Sequence, residues 1–349
     1  MIYRDAKGRF CKKEHTANVT ERKKMKGYKG FSPGMVCRGK QYQENTEFTE
    51  PEAKICESGM HFCPNPFDVW SFYPPADENG NLNEFAEVEA MDDPQTDDDI
   101  KYCSRRLRIG AKLDLSGFIK AGVDFILEHV KSTDSNTSDR SASTNTGYRS
   151  ATTNTGYRSA STNTGYRSAT TNTGDRSAAT NTGDRSAATN TGHRSAATNT
   201  GDCSASTNTG DYSASTNTGN GSVATNTGNG SVATNTGDYS VSTNTGDYSV
   251  STNTGYWSVS TNTGYWSVST NTGDRSAASV SGNESFAIAT GYQGKVKGAL
   301  GCWIACAEWA EDDNGNWHPV DFKAVRVDGK KIKADTWYRL ENGKFVEVN

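Results

Sequence analysis

A nine-residue unit repeats through the middle of this chain without a single insertion. It reads S-A-S-T-N-T-G-Y-R from Ser141, and its T-N-T-G core recurs in 15 identical copies as far as Gly273. Looser copies end at Gly282 and Gly291, and a copy with Ser138 in the glycine position precedes the first full one. A short fixed period without gaps is the sequence signature of a solenoid, in which each unit stacks on its neighbours.

The composition favours a stacked coil over a disordered chain. Leu, Ile, Val and Phe account for 47 of 349 residues, and so small an apolar fraction is by itself typical of disorder. The formal net charge, however, is only −4, whereas disordered chains of this kind carry a high net charge. Because small residues recur at fixed positions of the repeat, we expect a thin core of small side chains.

We number the unit G1-x2-x3-S4-[AV]5-[SAT]6-T7-N8-T9, with an extended strand over positions 4–9 and a turn over positions 1–3. We expect glycine to supply a positive φ in this turn. Nine residues are too few for a closed coil with two opposed strands, so the sequence predicts two repeats per coil. The predicted fold class is mainly β: a parallel β-solenoid, or β-roll, of about eight coils.

Alternation along the predicted strand gives the repeat two faces. Positions S4, [SAT]6 and N8 share one face, and positions [AV]5, T7 and T9 share the other. We expect the first set inside, with N8 forming amide ladders along the axis, because a thin roll tolerates only small interior side chains. The reverse assignment, with Ala, Val and Thr methyl groups inside, stays open.

The chain divides into four segments. Residues 1–25 form a polar, basic N-terminal arm, and residues 26–131 form an α+β domain whose last helix ends against the first repeats. The solenoid covers residues 132–298, and we expect the α+β domain to cap it, because an uncovered β-stack recruits other chains. Residues 299–349 contain strands separated by Asn-Gly and Asp-Gly turns, a pattern that predicts a C-terminal β-meander cap.

The turn pair x2-x3 is the variable part of the repeat. With 18 residues per coil, alternate repeats share an edge, so these pairs form two columns along the solenoid. Guanidinium and aromatic groups in such columns can support each other by cation–π contacts; the alternative is a binding edge for carbohydrate or another protein. The candidate binding residues are Tyr148, Arg149, Tyr157, Arg158, Tyr166, Arg167, Tyr256, Trp257, Tyr265 and Trp266.

Two runs in the array read S-V-A-T from Ser222 and S-F-A-I-A-T-G from Ser285. They resemble the head repeats of trimeric autotransporter adhesins of the YadA-like type. The resemblance implies a left-handed parallel β-roll and the association of three chains, so we expect a homo-oligomer, with a homotrimer favoured. The aromatic pairs near the C-terminal cap favour a contact there, because aromatic residues are enriched in interface cores.

The N-terminal region carries a second set of recognisable segments. It contains Y-K-G-F from Tyr28, C-R-G from Cys37, G-M-H-F-C from Gly59 and N-P from Asn65. These segments resemble an uncharacterised domain common in phage and prophage proteins, and R-D-A-K-G-R-F from Arg4 is similar to the start of many phage proteins. The resemblance implies a bacteriophage (viral) protein that is located in the host cytoplasm or the virion.

No acid, base and nucleophile converge in this sequence, so we predict a non-enzymatic structural or binding protein that uses the solenoid as a rigid shaft or interaction surface. Two alternatives stay open. The run G-M-H-F around His61, followed by a short helix, resembles the ADP-ribosyltransferase layout, with Glu87 or Glu89 as candidate acid; Lys29 and its neighbours stand where that family has His or Arg. Alternatively, outward-facing T7-N8-T9 triplets would form the flat Thr-x-Thr array that ice-binding solenoids display.

We predict no metal and no cofactor. The unit lacks the G-G-x-G-x-D pattern of calcium-binding nonapeptides. Cys37, Cys56, His61 and Cys63 are of residue types that bind zinc, but their spacing matches no standard site, so we expect core residues. The eight cysteines have no disulfide rhythm, which favours free thiols.

The remaining bulk properties narrow the partners. No 18-residue apolar stretch and no signal-peptide core is recognisable, so we expect neither a membrane span nor secretion. The near-neutral net charge of −4 gives no reason to expect a nucleic acid as partner.

Overall fold

The computed structural model describes residues 2–4, 10–12, 24–77, 81–129 and 132–348. The chain is mainly β, with 46% of residues in strands and 5% in helices. Most of the predicted basic arm lies outside the described residues, apart from the antiparallel pair Ile2–Arg4 and Phe10–Lys12. No helix in the described part of the chain is long and apolar enough for a membrane span.

The N-terminal domain is built on a four-stranded antiparallel sheet. In spatial order its strands are Met25–Phe31, Glu84–Ala90, Arg106–Leu113 and Glu47–Thr49. Two smaller antiparallel pairs and two helices complete the domain: Val36–Cys37 with Lys40–Gln41, Met60–Phe62 with Tyr102–Ser104, helix α1 (Pro66–Val69) and helix α2 (Leu115–Glu128). Asn65 caps α1 and Asp114 caps α2, each by accepting a backbone N–H. Such capping satisfies a donor at the helix start and fixes where each helix begins.

Two parallel sheets enclose the narrow interior of the solenoid. The first sheet contains Ser132–Asn136, Ser150–Asn154, Ala169–Asn172, Ala187–Asn190, Ala205–Asn208, Val223–Asn226, Val241–Asn244, Val259–Asn262, Ala277–Val280 and Lys295–Gly298. The second sheet contains Ala142–Asn145, Ala160–Asn163, Ala178–Asn181, Ala196–Asn199, Ala214–Asn217, Val232–Asn235, Val250–Asn253, Val268–Asn271, Phe286–Ala289 and Trp303–Glu311. Along the array each strand pairs with the strand 18 residues later, as Ala151 does with Ala169. The prediction of two repeats per coil is confirmed.

The solenoid has about ten coils rather than the predicted eight. Its register begins before the first T-N-T-G core, where Ser132 pairs with Ser150, and continues past the last repeat, where Phe286 pairs with Trp303. The prediction counted copies of the motif, whereas a coil requires only paired strands and small interior side chains. Ten strands at the usual spacing span about 43 Å along the axis.

Positions 4, 6 and 8 of the repeat point into the solenoid, as predicted. Ser177, Ala179 and Asn181 are buried, whereas Thr180 is half-buried and Thr182 is exposed. Alternation in a strand therefore places T7 and T9 on the outer surface of both sheets.

The interior asparagines bond across the solenoid rather than to one another. Asn226 donates from Nδ2 to the carbonyl oxygen of Val232 at 2.6 Å, and its Oδ1 accepts from Ser215 Oγ at 2.7 Å. The predicted amide ladder is therefore wrong. Among the interior side chains, S4 instead makes hydrogen bonds along the axis, as when the Ser177 N–H donates to Ser195 Oγ at 3.1 Å.

The repeat glycine is required by the close approach of successive coils. A Cβ at Gly201 would lie 2.5 Å from the carbonyl oxygen of Gly183, closer than any side chain permits. The left-handed residue of the turn is x3, with φ of 56° at Arg194 and 52° at Trp257. The expectation that the glycine supplies a positive φ is wrong, because its missing side chain matters for packing rather than for backbone conformation.

Both sheets end in antiparallel strands at the C-terminus, which agrees with the predicted meander. Trp303–Glu311 pairs with Trp317–Arg326, and Trp337–Glu341 pairs with Lys344–Val348. The second hairpin joins the first sheet through Tyr338 opposite Val296. Ile304, Tyr338 and Leu340 bury a larger apolar core there than the repeats contain.

The N-terminal domain lies along the first sheet. Position 5 is buried on this sheet, with Val241 0% exposed, whereas Val232 on the second sheet is 40% exposed. Phe67 and Trp70 belong to the apolar cluster that covers the first sheet, and α2 contacts Ala169–Asn172. The prediction placed this domain across the end of the stack; its described contacts run along the side instead, because α1 and the residues after it carry the apolar surface.

Candidate functional site

The ten predicted binding residues fall on two opposite edges of the solenoid. Edge 1 is the column of turns that lead into the first sheet and carries Tyr148, Arg149, Tyr166, Arg167, Tyr256 and Trp257. Edge 2 is the column that leads into the second sheet and carries Tyr157, Arg158, Tyr265 and Trp266. On each edge the tyrosine–arginine and the tyrosine–tryptophan pairs lie several coils apart, so the ten residues do not form one site.

Edge 1 binds the N-terminal domain through a buried ion-pair cluster. Arg167 Nη2 lies 2.6 Å from Asp68 Oδ2, and Arg185 Nε lies 3.2 Å from Asp68 Oδ1. Arg185 also donates to Ser71 Oγ at 2.7 Å. Burial raises the pKa of Asp68, while the two guanidinium groups act in the opposite direction. We call Asp68, Arg167 and Arg185 the docking cluster. Asp68 and Arg185 are not among the predicted binding residues, because nothing in the sequence around them indicates that they lie close together.

Aromatic residues in the columns stack on one another. Tyr148 and Tyr166 have ring centroids 5.5 Å apart, and Arg185 lies 5.5 Å from the Tyr166 centroid. Near the C-terminal cap, Trp266 stacks on Tyr248 at 5.1 Å and donates from Nε1 to Glu284 at 2.6 Å. Ring stacking and cation–π contact stabilise such columns. The structure thus favours the interpretation that the aromatic and guanidinium groups of each column stabilise one another.

Edge 2 remains open to solvent. Tyr265 is 50% exposed and Trp266 is 53% exposed, and Tyr157 and Arg158 are also exposed. On edge 1, Tyr148 and Tyr256 are exposed to the same extent, whereas Trp257 is half-buried. A shallow depression of about 300 Å³ follows this edge, lined by Tyr157, Asp175, Arg176, His193, Arg194, Asp211 and Tyr212. Exposed aromatic rings in a row are unusual on a monomer surface and mark a candidate interface.

The N-terminal domain contains a cavity of about 310 Å³ with a cationic lining. We call it the cationic cavity. Lys29, Arg38, Lys40, Lys101 and His61 supply its nitrogen groups, two glutamates (Glu50 and Glu57) also line it, and its aromatic walls are Tyr28, Tyr42, Phe62, Phe72 and Tyr73. Clefts of this size with a few convergent polar groups are typical of small-molecule sites.

Lys29 and His61 hold each other in place inside the cationic cavity. Lys29 is 5% exposed and donates from Nζ to the His61 carbonyl oxygen at 3.0 Å. The backbone N–H of Cys56 donates to His61 Nε2 at 3.1 Å. Burial lowers the pKa of Lys29, and burial with the nearby cations Lys29, Lys101 and Arg38 lowers the pKa of His61 to about 4. Burial and the nearby cations therefore favour the neutral form of His61.

One known family matches the N-terminal region of the chain. Residues 25–121 match a family model described as a domain of unknown function (DUF7666). The N-terminal region is a DUF7666 domain. No curated protein and no solved structure matches the chain. The match includes the cationic cavity and ends inside helix α2, while the solenoid lies outside it.

The residues singled out as candidate catalytic groups lie in different parts of the DUF7666 domain. His61 lines the cationic cavity, whereas Glu87 and Glu89 line a second depression with Arg108 and His129. The structure therefore does not bring the predicted histidine and acid of the ADP-ribosyltransferase layout together.

The described cysteines of the DUF7666 domain are free thiols, and the four candidate zinc ligands do not form a metal site. Cys37, Cys56 and Cys63 line the cationic cavity with His61. Cys37 accepts a hydrogen bond from the Tyr73 hydroxyl at 3.1 Å, and burial raises the pKa of Cys63 to about 12. Within the described residues, no three His, Cys, Asp or Glu side chains are grouped to hold a metal ion.

Proposed function

We propose that this chain is a non-enzymatic structural and binding protein in which the solenoid is a rigid mount for the DUF7666 domain. A rigid β-solenoid fits a structural or binding role. The docking cluster supports the proposal best, because Asp68 is 1% exposed and faces two arginines from successive coils. Removing one partner from a buried ion pair leaves an uncompensated charge, so the cluster fixes the orientation of the domain.

The docking cluster offers a direct test of this mount. An Asp68→Asn substitution leaves Arg167 and Arg185 facing a neutral group, so we expect the DUF7666 domain to separate from the first sheet. The radius of gyration from small-angle scattering should rise, while the β-type circular dichroism of the solenoid is retained. Asp124→Asn, on the exposed face of α2, is the matched control. Unchanged dimensions for Asp68→Asn would reject the rigid mount.

Edge 2 is the assembly surface in this proposal, and its partner is another copy of the chain. Aromatic and arginine residues such as Tyr157, Arg158 and Trp266 are enriched in interface cores. Trp266 already stacks on Tyr248, and Arg158 and Arg176 lie over the Tyr157 ring. Because these ring faces are occupied, a protein that packs on the ring edges fits better than a sugar that stacks on the faces. In this scheme the protein is a phage-encoded homotrimer, as the sequence resemblances imply.

Light scattering on the purified chain tests the assembly. A homotrimer has three times the 37.6 kDa mass of one chain. We expect Trp266→Ser to shift the population toward monomer, because Trp266 lies on the open edge. Trp257→Ser is the matched control, since Trp257 makes an equivalent stack, with Tyr239 at 4.9 Å, on edge 1. A monomer for the unsubstituted chain would remove this part of the proposal.

Ice binding is the second candidate, and the outward position of T7 and T9 favours it. On the open second sheet, Thr198 and Thr216 are half-buried, and Thr200 and Thr218 are exposed. Parallel strands repeat at about 4.8 Å, so the threonines form a regular two-row array. Threonine ladders also stabilise parallel stacks without binding anything, so the array alone does not decide between the candidates.

Inhibition of ice recrystallisation tests this second candidate. The double substitution Thr200→Tyr and Thr218→Tyr places bulky groups on the array and should abolish inhibition. Thr209→Tyr with Thr227→Tyr makes the same change at exposed T9 positions beside the covered first sheet and should not. No inhibition by the unsubstituted chain at any concentration would remove ice binding.

A further inference from the structure

We propose that the cationic cavity of the DUF7666 domain binds a mononucleotide, with the phosphate held by Lys29, Arg38 and Lys101 and the base against the aromatic walls. The residues of the cationic cavity belong neither to the docking cluster nor to edge 2. This proposal therefore does not depend on the proposed function.

Three cations in the cationic cavity lack a carboxylate partner within the described part of the chain. Among the described residues, no carboxylate forms an ion pair with Lys29, Arg38 or Lys101. Lys40 at the rim differs, because it pairs with Glu50. Lys101 Nζ donates to Cys56 Sγ at 3.0 Å, and this contact together with the nearby Asp98 raises the pKa of Lys101. Cations that converge on one cavity disfavour each other, and an anion that enters between them relieves this repulsion. A phosphate monoester carries close to two negative charges at neutral pH, which suits three donors better than a single carboxylate does.

Aromatic rings line the cationic cavity beside these cations. Lys29 Nζ lies 5.4 Å from the Tyr42 ring centroid, and Lys101 Nζ lies 4.9 Å from the Phe72 centroid. Phe72 is 48% exposed at the mouth of the cavity, and Tyr73 forms part of the wall. A ligand held at its phosphate by these lysines would therefore place an attached planar ring against aromatic faces. Stacking of a base on an aromatic side chain contributes to affinity without depending strongly on which base it is.

The cationic cavity is preformed. Lys29 is fixed by the His61 carbonyl oxygen, and the His61 ring is fixed by the Cys56 N–H. Arg38 and Cys56 both hold left-handed backbone conformations, with φ of 50° and 64°. Arg38 lies in the tight turn between Val36–Cys37 and Lys40–Gln41, and the hydrogen-bonded pairing of these strands holds its backbone in place. A volume of about 310 Å³ is at the small end of ligand pockets, as a mononucleotide requires.

Isothermal titration calorimetry on the full chain tests the site with AMP, GMP, CMP and UMP, and with adenosine and inorganic phosphate as partial ligands. We expect each mononucleotide to bind at one site per chain, with adenosine and phosphate each at least roughly tenfold weaker, since each lacks one half of the recognition. Arg38→Asn, which tolerates the left-handed backbone, and Lys101→Gln should each weaken mononucleotide binding by roughly tenfold. Lys120→Gln, on the exposed face of α2, should leave it unchanged.

Each alternative result is decisive. No binding of any mononucleotide to the folded chain overturns the proposal, and so does binding that Arg38→Asn and Lys101→Gln leave unaffected. Inorganic phosphate that binds as tightly as AMP overturns the role of the aromatic walls. Lys29→Gln is a poor test variant, because Lys29 is buried and its substitution would disturb folding. Arg38→Asn and Lys101→Gln change residues at the mouth of the cavity and test the proposal without this problem.

Discussion

At the scale of single residues, position 6 of the repeat influences whether the buried asparagine opposite it is satisfied. Where position 6 is serine, its hydroxyl in most repeats donates to the asparagine Oδ1, as Ser206 does to Asn217 at 2.6 Å; the exceptions are Ser143 and Ser260, opposite Asn154 and Asn271. Where position 6 is alanine, that oxygen has no hydrogen-bond partner among the described residues. These unsatisfied oxygens belong to Asn190, Asn199, Asn208, Asn235 and Asn244, which lie opposite Ala179, Ala188, Ala197, Ala224 and Ala233. A buried polar atom without a partner costs about 1–3 kcal/mol.

Adding the missing hydroxyl should therefore stabilise the solenoid. We expect Ala197→Ser to raise the free energy of unfolding by about 1 kcal/mol, because it gives Asn208 Oδ1 a donor. The interior accommodates a serine hydroxyl at the equivalent position of the next coil, where Ser215 pairs with Ala197. The reverse change, Ser206→Ala, should lower the free energy of unfolding by a similar amount. Urea denaturation measures both; a destabilising Ala197→Ser would show that the interior near Ala197 is too tight for a hydroxyl.

At the scale of elements, the strand Met60–Phe62 sets the chemistry of the cationic cavity. Its pairing with Tyr102–Ser104 places His61 between Lys29 and Lys101. His61 is half-buried, and its pKa is lowered to about 4 by burial and by these cations. The unfolded chain, with a histidine pKa near 6.5, takes up a proton that the folded domain does not.

The lowered pKa of His61 makes the free energy of unfolding fall as the pH falls from 6.5 towards 4. Above pH 6.5 the ring is neutral in both states and contributes no pH dependence; as pH falls from 6.5 towards 4, the unfolded state gains protons and the domain loses stability. We expect His61→Gln, which keeps an acceptor for the Cys56 N–H, to flatten the fall in unfolding free energy over this window. His318→Gln, on an exposed strand, is the control. Equal slopes for the unsubstituted chain and His61→Gln would contradict the lowered pKa.

The repeat elements could be predicted from the sequence, but the cavity could not. A fixed period of nine predicts the strands and their register, because every coil must satisfy the same packing, whereas it leaves the choice of the inward face open. Lys29, Arg38 and Lys101, by contrast, are far apart in the sequence, and isolated lysines and arginines are usually solvated. Only the pairing of Met25–Phe31 with its sheet and of Met60–Phe62 with Tyr102–Ser104 brings them together. The glycine position was recognised but its role was not, since close approach between coils is a tertiary property.

At the scale of the whole molecule, the solenoid has two different sides. The first sheet is covered by the DUF7666 domain from the docking cluster to Lys295, which donates to Asn81 Oδ1 at 2.9 Å. The second sheet carries larger exposed groups on its outer face, including Phe286 at 44% and Trp303 at 40% exposure. This asymmetry was not predictable, because the repeats of the two sheets have nearly the same sequence and the contact between Asp68 and Arg167 joins residues 99 positions apart.

Two deletions of different length test this asymmetry. Removing Asn220–Gly237 takes out 18 residues, or one coil, without losing any arginine or aromatic residue of either edge. Every later strand keeps its sheet, and the contact of Lys295 with Asn81 moves by only about 4.8 Å. We expect cooperative unfolding, with a melting temperature only a few degrees lower, as expected for a loss of about 1 kcal/mol.

Removing only Asn220–Gly228 should be more damaging, although it deletes half as many residues. Nine residues are half a coil, so every later strand moves to the opposite sheet. Phe286 and Trp303 then lie beneath the DUF7666 domain, where the small Ala277 and the paired Lys295 normally lie. We expect the domain to be displaced, with a larger radius of gyration and faster proteolysis at the end of helix α2 than in the 18-residue deletion. If both deletions leave the domain docked and the melting temperatures agree, the domain does not distinguish the two sheets, and the contacts along the first sheet do not determine where it binds.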